Sequence, residues 1–237
     1  MNKYIIRLKM ILTGLVKHYY NNEQTQLREA YYVYAGMKEG PCFKYYPSGG
    51  LKEVYYYVNG LKEGPYVSLY TDGQINVSCY FSGDKRNGPY FQYYEDGQLY
   101  FDCYFVNDLK EGPVKKYYRC GQLEEEYTCV AGLKEGAHRY YYTGGGLTCI
   151  THYTQDKKNG LCQQFYENGD LWYVSNYVMN MRDGEYRHYD PNGQLTELCY
   201  FHNDLLHGEC TEIRPRGEKR KLYYEHGVLK NITQQPA

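Results

Sequence analysis

The 237-residue chain balances 27 Lys and Arg against 28 Asp and Glu, which argues against a nucleic-acid partner gathered by a strong positive field. Its 34 Tyr, against 7 Phe and 1 Trp, with 25 Gly and only 8 Pro, point to short strands and tight turns. No run of about 20 apolar residues occurs, so a membrane-spanning helix is excluded on length.

In chain order, the first stretch, Tyr4 to Val16, is apolar but interrupted by Arg7 and Lys9 and lacks a small-residue cleavage site, so no secretory signal is expected. Gly14 to Leu27 reads as a worn copy of the segment from Gly40 to Leu51. Lys17-His18-Tyr19-Tyr20 matches Phe43-Lys44-Tyr45-Tyr46, and two extra residues enlarge the turn before Leu27.

A strict period then begins. Gly40, Gly64, Gly88, Gly112, Gly136, Gly160, Gly184 and Gly208 recur every 24 residues. Gly49, Gly73, Gly97, Gly121, Gly145, Gly169, Gly193 and Gly217 keep the same step. Two glycine columns filled in every unit define an internal repeat. Leu51, Ile75, Leu99, Leu123, Leu147, Leu171 and Leu195 form a further column, broken at Lys219.

Within one unit, Leu99, Phe101, Cys103 and Phe105 alternate with Tyr100, Asp102 and Tyr104, a period of two that means strand. Asp72-Gly73, Asp96-Gly97, Asn168-Gly169 and Asn192-Gly193 mark one turn, and Asn59-Gly60, Asn107-Asp108 and Asn203-Asp204 the other. Each unit is therefore a β-hairpin, and hairpins are stable only when stacked. The expected fold is all-β: an elongated single-layer solenoid of stacked antiparallel hairpins, advancing roughly 9–10 Å per repeat. Residues 1–39 form a cap with one degenerate repeat, 40–231 hold eight repeats, and 232–237 are a tail. The last unit loses Leu at Lys219 and an aromatic at Glu225, as an end that caps an open edge should.

The unit Gly88-Pro89-Tyr90-Phe91-Gln92-Tyr93-Tyr94-Glu95-Asp96-Gly97-Gln98-Leu99, with turns such as Asn59-Gly60-Leu61-Lys62-Glu63-Gly64, resembles the MORN repeat. It is closer to the 24-residue variant of bacterial YwqK-type and large-virus proteins than to the shorter eukaryotic form. The resemblance covers Gly40 to about Asn231, and Gly14 to Gly36 loosely. It implies a curved run of antiparallel hairpins serving as a protein-interaction, dimerisation or lipid-binding surface.

No catalytic constellation is found, so no enzyme and no cofactor are expected. The seven histidines occupy scattered columns without metal-motif spacing. One spatial grouping, His188 with His202, Cys199 and Cys210, stands as the alternative to ordinary surface histidines. The nine cysteines include no C-x-x-C pair and read as reduced core fillers, with no disulfide framework. Cys79 and Cys103, equivalent in adjacent units, should lie roughly 9–10 Å apart, beyond the roughly 7 Å limit for a disulfide. The sequons at Asn76 and Asn231 read as chance.

Two rows remain as candidate surfaces. Tyr46, Tyr70, Tyr94, Tyr118, Tyr142 and Tyr166 form a tyrosine column whose face would bind a protein partner or a second copy, or equally would stabilise the thin sheet across its strands. Lys62, Arg86, Lys110, Lys134, Lys158 and Arg182 form a cationic turn row that could grip anionic lipid. Against that reading, Glu63, Glu111, Glu135 and Asp183 stand next to four of them and cancel most of the field. The expected function is a cytoplasmic, non-enzymatic protein-interaction scaffold (in a host cytoplasm if the chain is viral); the alternative is a peripheral membrane adaptor.

Overall fold

The computed structural model describes residues 14–214 and 217–235; most of the apolar N-terminal stretch lies outside them. The described residues form 22 strands and no helix. The chain divides into two compact units, residues 1–111 and 112–237.

The first unit holds β1 (Leu15–Tyr19), β2 (Leu27–Tyr34), β3 (Met37–Tyr45), β4 (Leu51–Val58), β5 (Leu61–Lys62), β6 (Gly64–Leu69), β7 (Ile75–Ser82), β8 (Lys85–Tyr93), β9 (Leu99–Val106) and β10 (Leu109–Lys110). The second holds β11 (Gly112–Tyr117), β12 (Leu123–Val130), β13 (Leu133–Tyr141), β14 (Leu147–Thr154), β15 (Lys157–Phe165), β16 (Leu171–Val178), β17 (Met181–Tyr189), β18 (Leu195–His202), β19 (Leu205–Leu206), β20 (Gly208–Ile213), β21 (Lys219–Glu225) and β22 (Val228–Gln235). Within each unit sequential strands pair antiparallel, giving stacked hairpins in a single sheet. The final strand runs through Gln235, into the segment expected to be a tail.

Both glycine columns are explained by backbone geometry. At the longer turn the Gly49 N–H donates to the Tyr46 carbonyl at 2.9 Å and the Tyr46 N–H to the Gly50 carbonyl at 2.7 Å. Gly49 closes this turn at φ +91°, where a side chain is disfavoured. The other column sits in a bulge: Cys79 pairs with Tyr90 but Phe81 with Arg86, so Asn87-Gly88-Pro89 is extruded. A Cβ on Gly88 would stand 3.3 Å from the Tyr80 Cβ, on a backbone at φ +127°.

The core is one column wide on one face of the sheet. Cys42 faces Tyr55, Tyr66 faces Cys79 and Tyr90 faces Cys103. On the other edge of the same strands Tyr31 faces Cys42, and Cys79 faces Tyr90. In the second unit Val114 faces Tyr127, His138 faces Thr151, Cys162 faces Ser175, Tyr186 faces Cys199 and Cys210 faces Leu222. A ring usually meets a small side chain, and the ring covers its small neighbour. Cys42 is fully buried and Tyr55 only 2% exposed, although a single sheet offers no second layer.

The two-residue turns are uniform: both residues have positive φ, as in Asn59-Gly60, Asn107-Asp108 and Asn203-Asp204. Ala131 and Met179, both at φ 49°, are held there without the side-chain chemistry that eases it. The left-handed region costs an ordinary residue about 1–2 kcal/mol, which Asn largely relieves. Met179→Asn is therefore expected to stabilise the chain by up to about 1 kcal/mol, raising Tm by roughly 2–4 °C; a fall in a thermal melt would contradict this turn geometry.

Candidate interaction surface

The regular tyrosine column is placed between hairpins. The Tyr46 hydroxyl donates to the Leu69 carbonyl at 2.7 Å, Tyr70 to Tyr93 at 2.7 Å, Tyr118 to Tyr141 at 2.7 Å, Tyr142 to Phe165 at 2.9 Å and Tyr166 to Tyr189 at 2.9 Å. Each ring is half-buried, and each bond reaches the backbone of the next repeat. Tyr94 keeps the same half-buried place, its ring 4.9 Å from that of Tyr100. This row fastens one hairpin to the next, which corrects its expected place as a free aromatic face.

The cationic row is likewise drawn into the sheet. Lys62 lies over the Tyr55 ring at 4.9 Å, Arg86 over Phe105 at 4.0 Å, Lys110 over Phe101 at 4.8 Å, Lys134 over Tyr127 at 4.7 Å, Lys158 over Tyr177 at 5.1 Å and Arg182 over Phe201 at 3.9 Å. Cation–π contact holds these charges over the core rings, where they roof the cysteines. The backbone N–H groups of Lys62, Arg86, Lys134 and Arg182 donate to Asp84, Asp108, Asp156 and Asp204 in the next turn, and that of Lys158 donates to Asn180. The acids beside the cations are used in the same way. Glu39, Glu63, Glu135 and Asp183 accept from the turn amides of Asn59, Gly83, Gln155 and Asn203. The cations lie over rings while their backbone amides and the neighbouring acids join turns, so the geometry does not favour a lipid grip.

The face opposite the cysteines differs. In the first unit Pro41 faces Tyr56, Pro65 faces Tyr80 and Pro89 faces Tyr104. These rings are 41%, 47% and 47% exposed. Two residues along the same strands come Val58 opposite Leu61 and Val106 opposite Leu109, with Leu61, Val106 and Leu109 exposed. Phe43 opposite Val54 and Phe91 opposite Asp102 border the other side. In the second unit some matching positions are charged, as Lys115 opposite Glu126 and Arg139 opposite Ile150, while Val130 opposite Leu133 and Val178 opposite Met181 stay apolar and exposed. What the first unit holds is three proline–tyrosine pairs in succession. Its signal in the sequence is Gly-Pro at 40–41, 64–65 and 88–89 with Tyr56, Tyr80 and Tyr104 following, where Gly112-Pro113 meets Thr128 instead, masked by the more regular tyrosine column beside it.

His188 and His202 do not gather with the cysteines, although the His202, His207 and His226 rings follow one another at 6.1 and 5.1 Å. Trp172 Nε1 donates to His188 Nε2 at 2.9 Å, and His188 Nδ1 lies 2.6 Å from Thr196 Oγ1. His202 pairs with Asp183 at 2.9 Å. Neither joins the sulfurs of Cys199 and Cys210, so that grouping is corrected. His138, fully buried, accepts at Nδ1 from Lys134 Nζ, which leaves Nε2 to donate to Glu125 at 2.7 Å. Burial pushes the Glu125 carboxyl up, but His138 and the charge of Lys134 more than offset it and hold the group below its ordinary value.

The cysteine expectation is also corrected: Cys199 and Cys210 are joined in a disulfide. Equivalent cysteines are separated along a column, but these two belong to different columns that face each other across paired strands. A second sulfur pair stays reduced. Thr151 Oγ1 lies 3.4 Å from Cys149 Sγ and 3.3 Å from Cys162 Sγ. A hydrogen bond from Cys149 holds the Cys162 thiol below its ordinary value despite its burial.

The model of the MORN repeat variant matches residues 38–59, 86–107, 158–179 and 182–203, each match running through the longer turn and ending at the first residue of a two-residue turn. This is a MORN-repeat protein. No curated protein matches it. Among solved structures, a TcdB2-TccC3 crystal structure lacking the hypervariable C-terminal region shares 9% identity at TM-score 0.22, covering 100% of this MORN chain and 15% of that one. A structure of the Photorhabdus luminescens Tc holotoxin pore shares 11% identity at TM-score 0.17, over 89% of this chain and 13% of that one. The MORN array thus spans a small fraction of either chain, and superpositions this loose carry no functional inference.

The bonds between repeats can be tested one at a time. Tyr118→Phe keeps the ring but removes the bond to the Tyr141 carbonyl, so urea unfolding should show a loss of about 1 kcal/mol; an unchanged midpoint would mean the bond holds nothing together. The Asp204 carboxyl is held below its ordinary range by the Arg182 backbone N–H, with the guanidinium adding to it. A lowered folded value means that its contribution is complete above the unfolded value, about 3.9, and is lost as pH falls through the folded one. The stability gap between the parent chain and Asp204→Asn should therefore shrink as pH drops below about 4; a gap constant down to acid pH would contradict the assignment.

Proposed function

We propose that this MORN array is a non-enzymatic interaction module that engages a protein partner through the proline–tyrosine strip of its first unit. MORN repeats in general are interaction or membrane-binding modules, and one observation supports the protein reading here. Tyr56, Tyr80 and Tyr104 stand exposed in register, each beside a proline. Exposed tyrosines on a rigid sheet offer large contact area at low entropic cost, and such rings are enriched among residues that dominate binding. Proline adds an apolar surface and donates no hydrogen bond. The tyrosine column at Tyr46 supports this surface from within by fixing the spacing of the hairpins.

A photo-crosslinking amino acid placed at position 80 should capture one discrete protein species in the cell of origin, or a second copy of the chain. The same group at Lys44, on the cysteine face, should not. Loss of a central anchor costs about 2 kcal/mol, so Tyr80→Ser should weaken the captured complex roughly 30-fold. Equal capture from both positions, or sedimentation with anionic vesicles that Tyr80→Ser leaves unchanged, would remove the strip as the binding surface.

A further inference from the structure

Near the end of the second unit one carboxylate enters an otherwise apolar cluster. Cys199 and Cys210 stand opposite each other on β18 and β20, with Cα atoms 4.1 Å apart. They are 0% and 3% exposed and pack with buried Leu222 against Tyr186, Phe201, Leu206 and Tyr224. Glu197, two residues before Cys199 on the same strand and face, places Oε1 3.3 Å from Cys199 Sγ and 3.7 Å from Cys210 Sγ. The three donor atoms lie within 4.8 Å of one another. The charged neighbours of Glu197 are engaged elsewhere. Glu212, directly across the strand pair, binds Arg220 at 3.4 Å, and His188, opposite on β17, is held by Trp172 and Thr196.

A disulfide offers that carboxylate no hydrogen. A half-buried carboxylate without a donor or a cation is costly, so the position of Glu197 suits another state of the same two sulfurs. Two thiols would each donate to Oε1. Two thiolates with the carboxylate make a dry, three-donor set of the soft and borderline kind that zinc-class cations favour over calcium or magnesium.

We propose that, once the Cys199–Cys210 disulfide is reduced, Glu197, Cys199 and Cys210 bind one divalent cation of the zinc class. A dithiol reductant supplies two electrons and two protons. The S–S bond breaks, two S–H groups form, and the reductant closes its own disulfide. The cation then displaces both thiol protons to solvent and is held by two sulfurs and one carboxylate oxygen. Disulfide and bound cation exclude each other, because each uses the same sulfur electron pairs, so occupancy of the site tracks the thiol redox state. This rests on the sulfur cluster alone and stands apart from the proline–tyrosine strip.

The test uses the full chain, reduced with dithiothreitol, freed of reductant without oxygen and titrated with Co²⁺. One equivalent should bind with a thiolate-to-cobalt band in the near ultraviolet, while the oxidised chain gives none. The band should vanish in Cys199→Ser and Cys210→Ser. Glu197→Gln, which keeps the shape and removes the charge, should weaken binding about tenfold or more. Should the serine variants fail to fold, alkylation of the parent chain decides: Zn²⁺ should protect Cys199 and Cys210 and leave Cys149 and Cys162 reactive. No band in the reduced chain, an equal band in the oxidised chain, an unchanged affinity in Glu197→Gln, or protection centred on Cys149 and Cys162 would each overturn the proposal.

Discussion

A sheet without a covering layer must bury its centre with its own side chains, and here that is done largely by pairing one large residue with one small one across the strand junctions. The tyrosine ring leans over the cysteine opposite it, and a lysine or arginine from the turn lies over the rings. Arg86 over Phe105 at 4.0 Å, with Cys103 buried nearby, shows the full arrangement. Cysteine suits the small role because it is apolar and compact, and serine or threonine takes the same place at Ser175 and Thr151. Cys199 and Cys210 depart from this pairing: two small residues meet across one junction, and two sulfurs come together there.

The second constraint is the joining of hairpins, which none could survive without. Backbone pairing is supplemented by tyrosine hydroxyls donating to the next repeat at one end and by turn carboxylates accepting from backbone amides at the other. These bonds use the residues that look most like a binding surface in the sequence. The proline–tyrosine strip stands outside this bonding, and its exposure is informative because the more regular Tyr46 column is bonded to the next repeat.

The fold is legible in the sequence because two glycine columns report backbone conformation directly: Gly49 must close a turn and Gly88 must leave room for Tyr80. The strand alternation around Cys103 and Phe105 is legible for the same reason, a period of two with one buried face. The candidate surface is not. A column such as Tyr46 is regular whether it binds a partner or a neighbouring carbonyl, and only the 2.7 Å contact to Leu69 distinguishes them. The cationic row misleads likewise, because a sequence shows the charge of Lys62 but not the ring beneath it. The disulfide escapes a reading of spacing along a column, whereas Cys199 and Cys210 are neighbours between columns.

The reach of the fastening bonds has a bearing on how such a chain changes length. The Tyr46, Tyr70, Tyr118, Tyr142 and Tyr166 hydroxyls all close over 23 residues, and the turn carboxylates of Asp84 and Asp204 over 22. Each bond therefore spans one period and touches only the adjoining hairpin. Excising or duplicating one whole period inside a unit returns every donor to an equivalent acceptor, whereas a one-residue change within a strand reverses the faces of that strand beyond it unless a turn or bulge absorbs it. Gene-level gain and loss of entire repeats is thus structurally cheap, and the length of the array can drift while its local bonding stays fixed.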